Sequence, residues 1–169
     1  PSAGYPDANT NRSERSTEWS ARDAMGIGKD WSLWAGVRHA QLQRASERTS
    51  PDSDGSLRAT SYRQSVTTPW LALARQLTPQ TMLYASWGQG VESEVAPNRT
   101  RYTNAGQALP ALKSRQVEAG IKYAGETADV TLALFDIDRP QAVDLGTCDA
   151  DDTCTRAIDG SARHRGFEA

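Results

Sequence analysis

The connections between the extended segments of this sequence alternate strictly between short and long. Short turns are expected at Gly28, at Pro79 and at Gly125, each of about two to five residues, and long polar loops begin near Ser46, Ser93 and Pro140. In an up-and-down antiparallel sheet, alternate connections lie at the same end. All the short turns then fall at one end and all the long loops at the other. That is the layout of a transmembrane β-barrel. A soluble or extracellular antiparallel sandwich, serving as a binding module, would also use turns and alternation, but it rarely sorts its loops so cleanly by length.

The segment Lys113 to Asp138, KSRQVEAGIKYAGETADVTLALFDID, shows the strand pattern best. Val117, Ala119, Ile121 and Tyr123 share one side, and Gln116, Glu118, Gly120 and Lys122 the other. A period of two is the mark of a strand with one apolar and one polar face. Gly125, Glu126 and Thr127 supply a tight turn. Val130, Leu132 and Leu134 continue the alternation, and then Phe135 and Ile137 enter in the opposite phase.

Other extended segments are expected at Glu14–Ile27, Trp31–Gln43, Ser61–Leu77, Thr81–Glu92 and from Ser161 onward. Pro69 weakens a central-strand reading of its segment or marks a bulge. Pro1–Ser13, Ser46–Thr60, Ser93–Leu112 and Pro140–Asp159 read as loops. The fold expected is all-β, an antiparallel up-and-down meander of about seven strands. At about 9–15 residues each, these strands exceed the common globular length of about 5–6. Trp19, Trp31, Trp70, Tyr84, Trp87 and Tyr123 lie near strand ends and suit interfacial girdles.

Composition narrows the function classes. The chain has 169 residues, a length of one domain, with 37% hydrophobic content and a net charge of −2. There is no basic footprint for nucleic acid. No run approaches the about 18 apolar residues of a membrane helix, which leaves strand-based spanning open. The N-terminal PSAGYPDANT has neither the basic nor the apolar region of a signal peptide. Cys148 and Cys154 flank the polar stretch DADDT, so a local disulfide is expected in an oxidising compartment and two free thiols in a reducing one.

Catalytic signals are weak. His39 and His164 are the only histidines, and no nucleophile motif accompanies them. Two His and two Cys in no zinc spacing do not make a metal site. Asp52, Asp54 and Gly55 form part of a calcium-loop pattern without its remaining ligands, and Asp149, Asp151 and Asp152 read as a solvated loop tip. Neither an enzyme nor a resident cofactor is expected.

Four stretches in order then carry a resemblance: YASWGQGVESE, LPALKSRQVEAGIKY, ADVTLALFDIDR and GSARHRGFEA, with TEWS and WSLWAGVRH upstream. Together they resemble the barrel of TonB-dependent outer-membrane receptors, most closely the ferric-siderophore receptors. The matching positions include Leu83 to Ser86, Glu118, Gly120, Lys122, Tyr123, Phe135, Asp138, Arg139 and Arg165 to Glu168. The resemblance implies a barrel of about 22 strands closed by a plug. With about seven strands and no plug, residues 1–169 are expected to be a partial barrel domain. It implies location in the bacterial cell outer membrane, contact with outer-membrane lipid, and energy from TonB delivered through the plug. The ligand implied is a ferric siderophore, transported rather than held as a cofactor. Arg99, Arg101 and Tyr102 on the second long loop could bind such an anionic, flat ligand by charge, hydrogen bonds and stacking. Tyr84 and Trp87 could line the lumen, although a girdle or packing role suits them as well.

Overall fold

The computed structural model describes residues 10–48, 59–148 and 153–169. Seven strands form one antiparallel sheet in chain order: β1 (Thr10–Ile27), β2 (Trp31–Arg48), β3 (Ala59–Thr78), β4 (Thr81–Glu92), β5 (Leu112–Ala124), β6 (Asp129–Gly146) and β7 (Cys154–Glu168). Each strand pairs only with its sequence neighbours, so β1 and β7 are the two edges of an open sheet. Among the described residues there is no helix.

The three tight turns lie at one end, which we call the turn end. Gly28 takes a left-handed φ of 68° in the first, a conformation that costs glycine nothing. In the third, the Gly125 amide donates to the Ala128 carbonyl at 3.0 Å. At the opposite, loop end, the strands run longer than expected. β1 starts at Thr10 rather than Glu14, β2 continues to Arg48, and β3 begins at Ala59. The largest difference is at residues 140–159. A long loop was expected there, but β6 runs through Pro140 to Gly146, and β7 resumes at Cys154. Pro140 fits because pairing between β5 and β6 ends at Asp138, which leaves one edge of Pro140 without a ladder to complete. Pro69 fits in the same way, paired with Val37 on β2 where β4 no longer follows β3 beyond Trp70.

The register sorts the side chains into two faces. On one, Met25, Ile27, Trp31, Leu71, Leu73, Leu83, Trp87, Val117, Tyr123, Leu132, Leu134 and Phe167 form a band near the turn end, all partly open to solvent. On β5 the band runs from Val117 to Tyr123, and on β6 it ends at Leu134, where Asp136 follows on the same face. Trp31 and Tyr123 mark its turn-end rim, with the Arg75 guanidinium 5.3 Å from the Trp31 ring. Trp19 stacks on His39 with centroids 5.2 Å apart towards the loop end.

The other face is polar and carries ion pairs such as Arg38–Glu18 and Arg44–Glu14. Trp70, Tyr84 and Phe135 also lie here, so Trp70 and Tyr84 are not girdle residues. Each stands opposite glycine: Trp70 between Gly36 and Gly88, Tyr84 beside Gly120, Phe135 beside Gly166. The missing Cβ leaves room for the ring to lie flat along the wall. The phase change at Phe135 is thus no break in β6. The strand keeps its alternation there, with Asp136 taking the outward position beside Val117 at the edge of the band and Asp138 the next one beyond it.

β4 and β5 are the short strands, at 12 and 13 residues against 15 to 20 for the others. They leave a notch between the tall β2–β3 and β6–β7 hairpins. The connection 93–111 fills it.

Candidate functional site

Why the 93–111 connection folds as it does is visible in its apolar residues. Ala96, Tyr102 and Leu109 are buried with Leu112 and Cys154, forming a small core at the loop end. On one side the connection lies on the polar face of β3. There the Gln64 amide donates to the Leu109 carbonyl at 3.0 Å, and Gly106 approaches the Thr60 methyl. Burial alternates along that part of β3, with Thr60, Tyr62, Gln64, Val66 and Thr68 covered and their neighbours exposed. Gly106 has a φ of 70°, so the close approach and the backbone both call for glycine.

On the other side the connection closes the edge of β7. The Cys154 amide donates to the Arg101 carbonyl at 2.9 Å, and the Thr103 amide to the Cys154 carbonyl at 2.8 Å. One residue pair further, the Asn104 side chain bonds both backbone groups of Arg156, at 2.7 and 3.0 Å. The side-chain amide thereby completes a short piece of strand edge. Cys148 and Cys154 are joined by a disulfide with Cα atoms 4.8 Å apart, which fixes the start of β7.

Charges hold the same contact. Arg156 bridges Glu94 and Asp144, each at 3.0 Å. The Tyr102 hydroxyl donates to Asp144 at 2.9 Å. These groups stand at the loop end, well above the apolar band. Burial, and then the bond to Asp144, push the Tyr102 phenol up from its ordinary value. The Tyr102 hydroxyl, with the Arg156 guanidinium behind it, holds the Asp144 carboxyl below the usual carboxylate range.

The candidate ligand residues separate by position. Arg99 is exposed at the surface of the connection. Arg101 is half-buried, its guanidinium 5.9 Å from the Tyr102 ring, and its Nε is buried without a partner. Tyr102 is buried, so its ring is not a free stacking surface. Tyr84 lies lower on the polar face, with its hydroxyl 2.7 Å from Glu118 and the Lys122 ammonium 5.1 Å from its ring. Trp87 lies on the opposite face, in register with Leu71 and Val117, and does not meet Tyr84. His39 bonds Thr67 at 2.8 Å on the outward face, and among the described residues no cluster of three His, Cys, Asp or Glu could hold a metal. Asp52, Asp54, Gly55, Asp149, Asp151 and Asp152 lie outside the described residues. Sequence reasoning missed Glu94, Asp144 and Arg156. Only the short length of the β4 and β5 alternation, against the apolar Ala96, Tyr102 and Leu109 between them, could have pointed to a packed connection.

Comparisons with known proteins agree with this architecture. The ferric preacinetobactin receptor BauA from Acinetobacter baumannii superposes with a TM-score of 0.72 at 25% identity, over 94% of this chain and 22% of its own. The ferric-catecholate import receptor Fiu from E. coli K12 gives 0.72 at 18% identity, over 95% of this chain and 25% of its own. The siderophore receptor PiuA from Acinetobacter baumannii gives 0.75 at 15% identity, over 94% and 23%. The last two speak to the fold alone. The chain spans about a quarter of the length of these receptors. No curated protein matches it in sequence. Residues 1–169 match the family described as TonB dependent receptor-like, beta-barrel, and the chain belongs to that family.

Proposed function

We propose that this chain is part of the wall of an outer-membrane transporter that takes up a ferric siderophore, energised by TonB through a plug. The observation that carries the reading is the one-sided sheet. Its apolar band is open on one face, while the ion pairs Arg38–Glu18, Arg44–Glu14 and Arg139–Glu92 lie on the other, where the 93–111 connection also covers β3. A soluble module would need a second layer over that band; the described residues contain one sheet. The family, and the likeness to the ferric preacinetobactin receptor at 25% identity, support the substrate class. In this reading the polar face lines the lumen and the turn end is periplasmic. Arg99 offers charge to an anionic ligand at the mouth. Arg101 lies behind it, Tyr102 positions both, and Tyr84 with Glu118 and Lys122 lies deeper along the wall.

The test uses the full-length receptor in its host. Accumulation of radiolabelled iron supplied as catecholate or hydroxamate chelates should depend on the receptor and on TonB, and the protein should fractionate with the outer membrane. Arg99→Ala should weaken chelate binding several-fold with the barrel intact. A receptor that stays in the soluble fraction without detergent, or uptake indifferent to TonB, would refute the reading.

A further inference from the structure

The outward face changes character at the loop end of its apolar band. On β5 to β7 the last apolar residues are Val117, Leu134 and Phe167. On the same face Asp136 and Arg165 share the row of Val117, the next row holds Arg115, Asp138 and Arg163, and Lys113 stands one row further on β5. Four cations there meet two carboxylates. Asp136 is shared, accepting from Arg163 Nε at 2.8 Å and Arg165 Nε at 3.0 Å. Asp138 stands in register between Arg115 and Arg163. Among the described residues, no carboxylate hydrogen-bonds or ion-pairs with Lys113 or Arg115. On the polar face near this level the charges balance, Arg139 against Glu92. The cationic excess is therefore confined to the face that carries the band.

Its height fits a headgroup layer. Arg115 lies nine residues along β5 from Ala124. At about 3.4 Å per residue and about 40° of tilt, that is roughly 23 Å, close to the apolar band of about 25 Å. Neighbouring strands are about 4.8 Å apart, so the three strands present a patch roughly 10 Å wide.

We propose that this patch binds the phosphate of an anionic lipid in the leaflet at the loop end. The acyl chains lie on Val117, Leu134 and Phe167, and the phosphate meets Arg115 and Lys113, with Arg163 alongside. Arginine pairs with phosphate in two-point geometry, and each surface cation adds roughly five-fold in affinity. The continuity of charge with apolar surface selects a lipid over a free anion, which would gain nothing from the band. The inference rests on the membrane reading above.

The experiment compares the full-length receptor with its Lys113→Gln/Arg115→Gln variant, neither position supporting an ion pair within the wall. Both are placed in phosphatidylcholine nanodiscs containing phosphatidic acid, and co-released lipid is counted by native mass spectrometry. The wild type should retain phosphatidic acid over phosphatidylcholine, and the preference should weaken with salt. The double variant should lose roughly 25-fold of it. Arg139→Gln, on the polar face, should lose none. Equal retention by wild type and variant overturns the proposal. So does competition by inorganic phosphate at the same concentration as the lipid, which would make the patch a free-anion site. Insertion is scored separately by heat-modifiable mobility in pure phosphatidylcholine. Failure of the wild type to insert overturns the membrane reading itself, whereas insertion without lipid preference overturns only the patch.

Discussion

Gly120 shows how tightly single positions are determined. A Cβ there would meet the Leu132 carbonyl oxygen at 2.5 Å and the Tyr84 ring at 2.7 Å. The backbone oxygen cannot swing aside, so Gly120→Ala should destabilise the barrel by about 1–3 kcal/mol and displace Tyr84 from Glu118. Urea unfolding of the full-length receptor in detergent measures this, with Gly26→Ala as the control, since nothing lies within 4 Å of a Cβ at Gly26. The Tyr102–Asp144 bond sets a pH window. Asp144's lowered pKa contributes stability above the ordinary carboxylate range, lost as pH falls through the depressed value. Tyr102's raised pKa contributes below the ordinary tyrosine range near 10, lost as pH rises through the raised value. Hydrogen exchange in 93–111, corrected for intrinsic rates, should therefore quicken at both extremes, and Tyr102→Phe should abolish the alkaline limb. A window that is unchanged in Tyr102→Phe would sink this account. The sequence alone shows that Tyr84 and Trp87 differ in parity and so face opposite ways. It does not show that Tyr84 meets Gly120, or Phe135 Gly166, because those rows depend on the register between strands.

At the scale of elements, the 93–111 connection behaves as a packed insert between two hairpins. Its hold on β7 passes through Cys154, whose amide and carbonyl both bond the connection. The disulfide closes a loop with a sequence separation of 6, which constrains the unfolded chain by about 2 kcal/mol in the chain-entropy account. Reduction should lower the local stability of the β6–β7 tip by about that amount and speed proteolysis within 93–111, leaving the turn end intact. Equal protease sensitivity before and after reduction would show that Arg156 and Asn104 suffice. The element count and the positions of the three turns were legible, because period-two alternation and turn residues are local properties. The extent of β6 and β7 was not. Pro140, the cysteines and the acidic stretch all carry loop chemistry, and only the early end of β5 pairing frees an edge on which Pro140 can sit in a strand.

For the whole molecule, the question is which face meets lipid, and adjacent residues answer it best. Thr131 and Leu132 stand at the same height on β6 but point to opposite faces, Thr131 paired with Lys122 and Leu132 with Ile121. If the apolar band lies in a bilayer, Leu132→Arg carries a full charge into hydrocarbon and should cost about 2–4 kcal/mol near the midplane. Thr131→Arg enters a wetted, polar surface and should cost well under 1 kcal/mol, even with Lys122 opposite, because water screens the like charges. A soluble sheet with the band buried under a second layer would make Leu132→Arg costly too. The solvent therefore has to be varied. In a barrel the penalty should shrink as short-chain lipids thin the bilayer, since the guanidinium then reaches the headgroups sooner. A buried soluble core has no reason to respond to lipid thickness. Folding free energies of the two variants in full-length receptor, compared in thick and thin phosphatidylcholine bilayers, separate the cases: a Leu132→Arg penalty that stays constant with thickness would remove the band from the membrane.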